Sequence, residues 1–100
     1  MNALDRSFLK FHKENPHIYK LFCKYSLEAI ASGQKVYSAR GIVFRIRWFT
    51  DVEMRSSEPF KINDHHSPYW ARMFMRDWPQ HDEFFRTRLA TADFSALPVE

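Results

Sequence analysis

The sequence predicts a mainly α fold: a compact helical domain with a helix-turn-helix or winged-helix-like core and a small β-hairpin. Three observations carry this expectation. Apolar residues recur at helical spacing in successive stretches, and caps, glycine or proline separate those stretches. Only residues 52–63 change to an alternating apolar–polar pattern. With 45% hydrophobic and 17% aromatic residues in a 100-residue chain, there is enough apolar side chain for one core without crosslinks. Residues 1–89 therefore read as a single helical domain and residues 90–100, which lose periodicity, as a frayed tail.

Residues 3–14 place Leu4, Phe8 and Phe11 on one helical face, with Asn2 available as the cap. Asn15-Pro16 ends that helix and starts the next, because the residue before proline avoids the helical region and proline at a first turn gives up no needed N–H. The second helix, about 16–32, aligns Ile18, Leu21, Phe22, Tyr25, Ala29 and Ile30. Gly33 is suited to the left-handed position that closes it. The third begins after Ser38, whose hydroxyl can take a free backbone N–H. Ile42, Ile46 and Phe49 face inward, with Ala39 and Val43 at the edge.

Val52–Arg55 and Phe60–Asn63 alternate around Ser56–Pro59, a hairpin or else a loop with one short strand. Ser67 and Pro68 then read as cap and first residue of a helix over 68–78. There Trp70, Ala71, Phe74 and Trp78 share the inner face, and Arg72 and Arg76 form a ladder on the outer one. Pro79 restarts the chain into a last helix, about 80–89, with Phe84, Phe85 and Leu89 apolar. Residues 11–22 and 74–85 share Phe, basic, acidic, Pro and Phe at identical spacing, which predicts two similar helix–Pro–helix corners.

The net charge of +3 and pI of about 9.2 are compatible with a polyanionic partner without requiring one. Cys23 is the only cysteine, so an intrachain disulfide and an all-cysteine zinc site are excluded, and the chain reads as a protein of a reducing compartment. Charges at Asp5, Arg6, Lys10, Lys13, Glu14 and Lys20 interrupt the first apolar stretch, and no later run is apolar enough to cross a bilayer.

Two binding surfaces are candidates. At about 100° per residue, Arg40 and Arg47 fall on the outer face of the third helix with Phe44 between them. From Glu28 to Asp51 there is no acid. In a helix-turn-helix reading, Arg40 meets a base edge of double-stranded DNA, and Lys24, Lys35 and Arg47 serve phosphates. A homodimer is expected if the site is specific. Two features count against it: the turn exceeds the roughly three or four residues usual for the motif, and Gly41 weakens the helix. The second candidate is a protein-binding patch of Tyr69, Arg72, Met73 and Arg76. A solvated surface helix is the plain alternative to both.

No cofactor, metal site or catalytic group is expected. Adjacent His65 and His66 in a turn diverge rather than share a metal, and Cys23 reads as a small buried apolar residue. No phosphate-cradling glycine loop or nucleophile elbow is present.

The ordered set Asn15-Pro16, Ser38-Ala-Arg40, Ile46-Arg-Trp48, Phe60-Lys-Ile-Asn63, Tyr69-Trp-Ala-Arg72 and Phe84-Phe-Arg-Thr-Arg88 resembles a group of small phage- and prophage-encoded proteins. The resemblance covers about residues 8–88. It implies the cytoplasm of a bacterial host and carries no activity and no functional residue. Short phage genes of this kind tend to encode DNA-binding regulators or proteins that bind and disable a host machine.

Overall fold

The computed structural model describes residues 1–54 and 62–86. Four α-helices are found among the described residues: α1 (Ala3–Glu14), α2 (Pro16–Ala31), α3 (Ala39–Trp48) and α4 (Ser67–Asp77). A π-helical turn, Phe49–Glu53, extends α3, and short 3-10 turns at Asp64–His66 and Pro79–His81 flank α4.

Local chemistry explains where each helix starts and stops. The Asn2 side chain accepts the Asp5 N–H at 2.8 Å, while the Asp5 carboxylate accepts the Asn2 N–H at 3.0 Å, a reciprocal capping box. Gly33, at φ +102°, closes α2: its N–H reaches the Ile30 carbonyl at 3.0 Å, and the Gln34 N–H reaches Ala29 at 3.2 Å. That pair of bonds defines a Schellman motif, and the left-handed residue in it is strained unless it is glycine.

The two proline corners are alike, as the sequence echo predicts. Asn15 (φ −136°, ψ 61°) and Trp78 (φ −123°, ψ 76°) have nearly the same backbone, and each donates its N–H to the preceding phenylalanine's carbonyl at 2.8 Å. Their outcomes differ, since Pro16 opens α2 whereas Pro79 opens only a 3-10 turn.

Helix α4 sits at the centre of the core. Trp70, fully buried, has the rings of Phe8, Phe11, Phe22 and His66 around it at centroid distances of 5.5–6.2 Å. One turn on, Phe74 stacks on Trp78 at 5.0 Å and meets Phe85 at 5.7 Å. Helices α1, α2 and α3 supply the surrounding wall through Phe8, Ile18, Phe22, Ile42, Val43 and Ile46, all buried.

Three expectations change. Of the expected strand Val52–Arg55, the described residues 52–54 are not extended, because residues 49–53 wind as a π-helical turn closed by the Met54 N–H on the Phe49 carbonyl at 2.8 Å. Thr50 helps keep the chain helical there, its buried hydroxyl donating to the Arg47 carbonyl at 3.1 Å. Among the described residues there is no strand, and residues 55–61 of the expected hairpin lie outside them. Ser67 is not the cap before α4. Ser67 is already helical and the cap position is His66, without a side-chain cap bond. Asn63 caps the 3-10 turn that runs into the helix, accepting the His65 N–H at 2.9 Å.

The helix expected over 80–89 is replaced through residue 86 by the Pro79–His81 turn and irregular chain, with residues 87–100 outside the described part. Phe84 and Phe85 are buried side by side in this irregular segment, at 4.8 Å between centroids, and both pack on Phe74 of α4.

Candidate nucleic-acid interface

Helix α3 is held from three directions. Ser38 Oγ accepts the Gly41 N–H at 3.2 Å and caps it. The Tyr37 N–H donates to the Phe84 carbonyl at 3.2 Å, tying the α2–α3 connector to the segment after α4. Ile42, Val43 and Ile46 are buried against α2 and α4, which fixes the rotation of the helix about its axis. Gly41 has a local use as well: a Cβ there would lie 3.0 Å from Cε2 of the Tyr37 ring, so the missing side chain leaves room for that ring against the first turn.

With the inner face fixed, the outer face follows. Arg40, Phe44 and Arg47 are all exposed, and the Arg47 guanidinium lies 5.8 Å from the Phe44 ring centroid. Trp48, one turn after Phe44, is 58% exposed, and Phe44 itself is 50% exposed. Val52, on the π-helical turn, prolongs the same line of exposed apolar side chains. The result is an aromatic ridge with arginines beside it.

Trp48 is the functional candidate that the sequence reading missed. The signal was present: at about 100° per residue it lies opposite the midpoint of Ile42, Val43 and Ile46.

The remaining predicted residues are exposed but do not all join this ridge. Lys24 on α2 lies 5.6 Å from the Tyr25 ring centroid, and Arg45 of α3 lies 4.5 Å from the same centroid. Lys24 therefore flanks α3 on its Arg45 side. Lys35, in the connector, borders a cleft of about 620 Å³ with Arg72, Arg86, Asp82 and Glu83. Arg40 borders a neighbouring hollow of about 340 Å³ that shares Val36 and Arg86 with that cleft.

The acid-free run is also less bare in space than in sequence. Arg40 pairs with Asp64 at 3.1 Å, and Arg45 pairs with Glu53 at 3.4 Å across the end of the helix. Arg45–Glu53 is solvent-exposed on both sides and Arg40–Asp64 on the arginine side, with Asp64 half-buried. Exposed pairs contribute about 0–1 kcal/mol, so a phosphate can compete for either arginine.

The connector between α2 and α3 spans residues 32–38, longer than in a standard helix-turn-helix, so the two helices share packing without sharing that motif's turn.

The patch expected at Tyr69, Arg72, Met73 and Arg76 is not an exposed surface. Tyr69 is 2% exposed and Met73 fully buried, while Arg72 and Arg76 are half-buried. Helix α1 accounts for the difference. Phe8 stacks on the Tyr69 ring at 4.7 Å, and the Tyr69 hydroxyl donates to the Asp5 carboxylate. Burial and the neighbouring carboxylate push the Tyr69 hydroxyl pKa up, while the same bond, with the Asn2 N–H, holds Asp5 below the usual carboxylate range. Arg76 Nε is spent on Asp77 at 3.1 Å.

His65 and His66 diverge. His65 is exposed, whereas His66 is buried among Phe8, Phe11, Tyr69 and Trp70, with Nε2 at 3.1 Å from Ser7 Oγ. Burial lowers the His66 pKa, so the ring is held neutral. Cys23 is buried on α2.

Among the described residues, no helix is long and apolar enough to cross a membrane. Comparison with protein-family models, with curated proteins and with solved structures gives no match.

Proposed function

We propose that this chain is a DNA-binding protein without catalysis, with the outer face of α3 as its contact surface. One observation carries the reading. Arg40, Phe44 and Arg47 stand exposed on one helix whose opposite side is locked in the core, and no acid interrupts that helix. Arginines on a rigid helix can meet phosphates or base edges at little entropic cost, because the backbone that presents them is already ordered. Lys24 and Lys35 extend the positive surface to either side and act on phosphates. A bacterial host or phage setting, from the sequence resemblance, fits a small regulator, and two copies would be needed to specify a long site.

The test is fluorescence anisotropy of labelled DNA at low and near-physiological salt, for wild type and the Arg40→Ala/Arg47→Ala protein. Both arginines are exposed, so the variant is expected to keep its helical circular dichroism and lose binding. Unaltered binding by the folded variant would move the contact elsewhere.

A second reading, capture of a host or phage protein, is favoured by a separate observation. Phe44 and Trp48 beside arginine make up a composition typical of interface hot spots. That reading predicts no retention of DNA even at low salt.

A further inference from the structure

We infer that the DNA taken by α3 is single-stranded, with unpaired bases stacking on Phe44 and Trp48. The inference rests on the DNA-binding reading and names the form of DNA that fits it. Phe44 and Trp48 are 50% and 58% exposed on successive turns of one helix, about 6 Å apart along its axis. Trp70, by comparison, is fully buried. Large rings kept in water at the centre of a rigid face are unfavourable in the free protein and become useful only when something flat and apolar covers them. A duplex offers base edges in its grooves, not base faces. A separated strand offers a ring face at every base, and each base–aromatic stack contributes roughly 1–3 kcal/mol whatever the base.

The surrounding charge suits the same occupant. Arg40 and Arg47 flank the ridge on one side and Arg45 on the other, so a strand laid along Phe44 and Trp48 runs its phosphates between arginines. A second copy of this chain would fit poorly, because a two-fold contact through the ridge sets arginine against arginine. The departure from helix-turn-helix geometry points the same way. The longer connector at 32–38 is not the turn that seats a reading helix in a major groove, and Trp48 lies on the face such a helix would insert.

The test combines intrinsic tryptophan fluorescence with anisotropy on the full chain, using oligothymidylate, oligouridylate and a blunt duplex of matched length. The expected result is tighter binding of oligothymidylate than of duplex by tenfold or more, with quenching that disappears in Trp48→Phe. Phe44→Ala and Trp48→Ala should each weaken oligothymidylate binding by about 5- to 150-fold, with circular dichroism unchanged, while Trp48→Phe retains most of the affinity. Equal or tighter binding of the duplex, or folded alanine variants that bind as wild type does, would overturn stacking and leave DNA binding by the arginines standing. Preference for oligouridylate would overturn the assignment to DNA. Failure to bind any of the three at low salt would overturn both this inference and the DNA reading, and would leave the ridge to a protein partner.

Discussion

Helices α3 and α4 are built from similar residues and end in opposite environments. Each carries two or more arginines and a tryptophan within about three turns, yet Trp48 is 58% exposed and Trp70 not at all. The difference lies in what surrounds them. Helix α3 is apolar along one stripe, Ile42, Val43 and Ile46, and packs by that stripe alone. Helix α4 is apolar nearly all round, through Tyr69, Trp70, Ala71, Met73, Phe74 and Met75, and such a helix has to be enclosed. Arg40 and Arg45 on α3 are paired too, with Asp64 and Glu53, but their side chains stay more open to solvent than that of Arg76, which is half-buried against Asp77.

The comparison is broken most severely at the two tryptophans. Trp70→Ala should destabilise the protein by about 3–5 kcal/mol, since it leaves a ring-sized cavity among Phe8, Phe11 and Phe22. Trp48→Ala should change stability by no more than about 0.5 kcal/mol. Urea unfolding of the two variants side by side measures the contrast directly, and equal costs would mean that the two environments are wrongly assigned.

A smaller effect is expected at the polar seam joining α2 to the end of α4. The Tyr19 hydroxyl donates to Asp77 at 2.6 Å, and burial together with that carboxylate pushes its pKa up. Tyr19→Phe removes a hydrogen bond to a charged acceptor, for an expected loss of about 1.5–3 kcal/mol in the same assay.

Acid should sharpen the contrast, because the titrating group lies beside α4. Folded His66 is neutral and its pKa is depressed, while in the unfolded chain it returns to about 6.5. Below that pH the unfolded state binds the proton more readily, so stability is present above pH 6.5 and is lost as the pH falls. Asp5 contributes in the same direction at lower pH, as protonation removes the charge that strengthens the Tyr69 and Asn2 bonds. His66→Asn should flatten the dependence of Tm on pH near 6, leaving the steeper loss in stronger acid.

The smallest effect is expected on α3 itself. Gly41→Ala gains up to about 1 kcal/mol in helix propensity. The ring it would press, Tyr37, is 43% exposed and can swing aside. A modest rise in Tm is predicted.

Much of this was legible in the sequence, for identifiable reasons. Asn2, Gly33 and Ser38 announced their helix ends because capping and left-handed positions depend on the residue itself and its near neighbours. On α3, Ile42 and Ile46 followed from spacing alone, whereas Val43, expected at the edge, is fully buried and Phe49, expected inside, is half-buried. The outer face of α4 did not follow from spacing, since the cover on Tyr69 comes from Phe8 and Asp5 of α1, distant in sequence, and Met73 too is buried. The alternation at 52–54 misled because Val52 and Met54, both exposed, carry no burial signal, and a strand pattern was read from side chains that pack on nothing. Asp64, which reaches back to Arg40 from a later part of the chain, was likewise invisible to a count of acids along α3.

The most direct test is the salt dependence of DNA binding for wild type, Arg40→Ala/Arg47→Ala and Arg76→Ala. If α3 is the contact surface, wild-type affinity falls linearly on a log–log plot. The double variant then binds weakly, with a slope shallower by about 1.4 for two lost phosphate contacts on a single strand, and Arg76→Ala follows the wild type. A double variant that keeps both affinity and slope, or a wild type that does not bind DNA at low salt, would contradict the account.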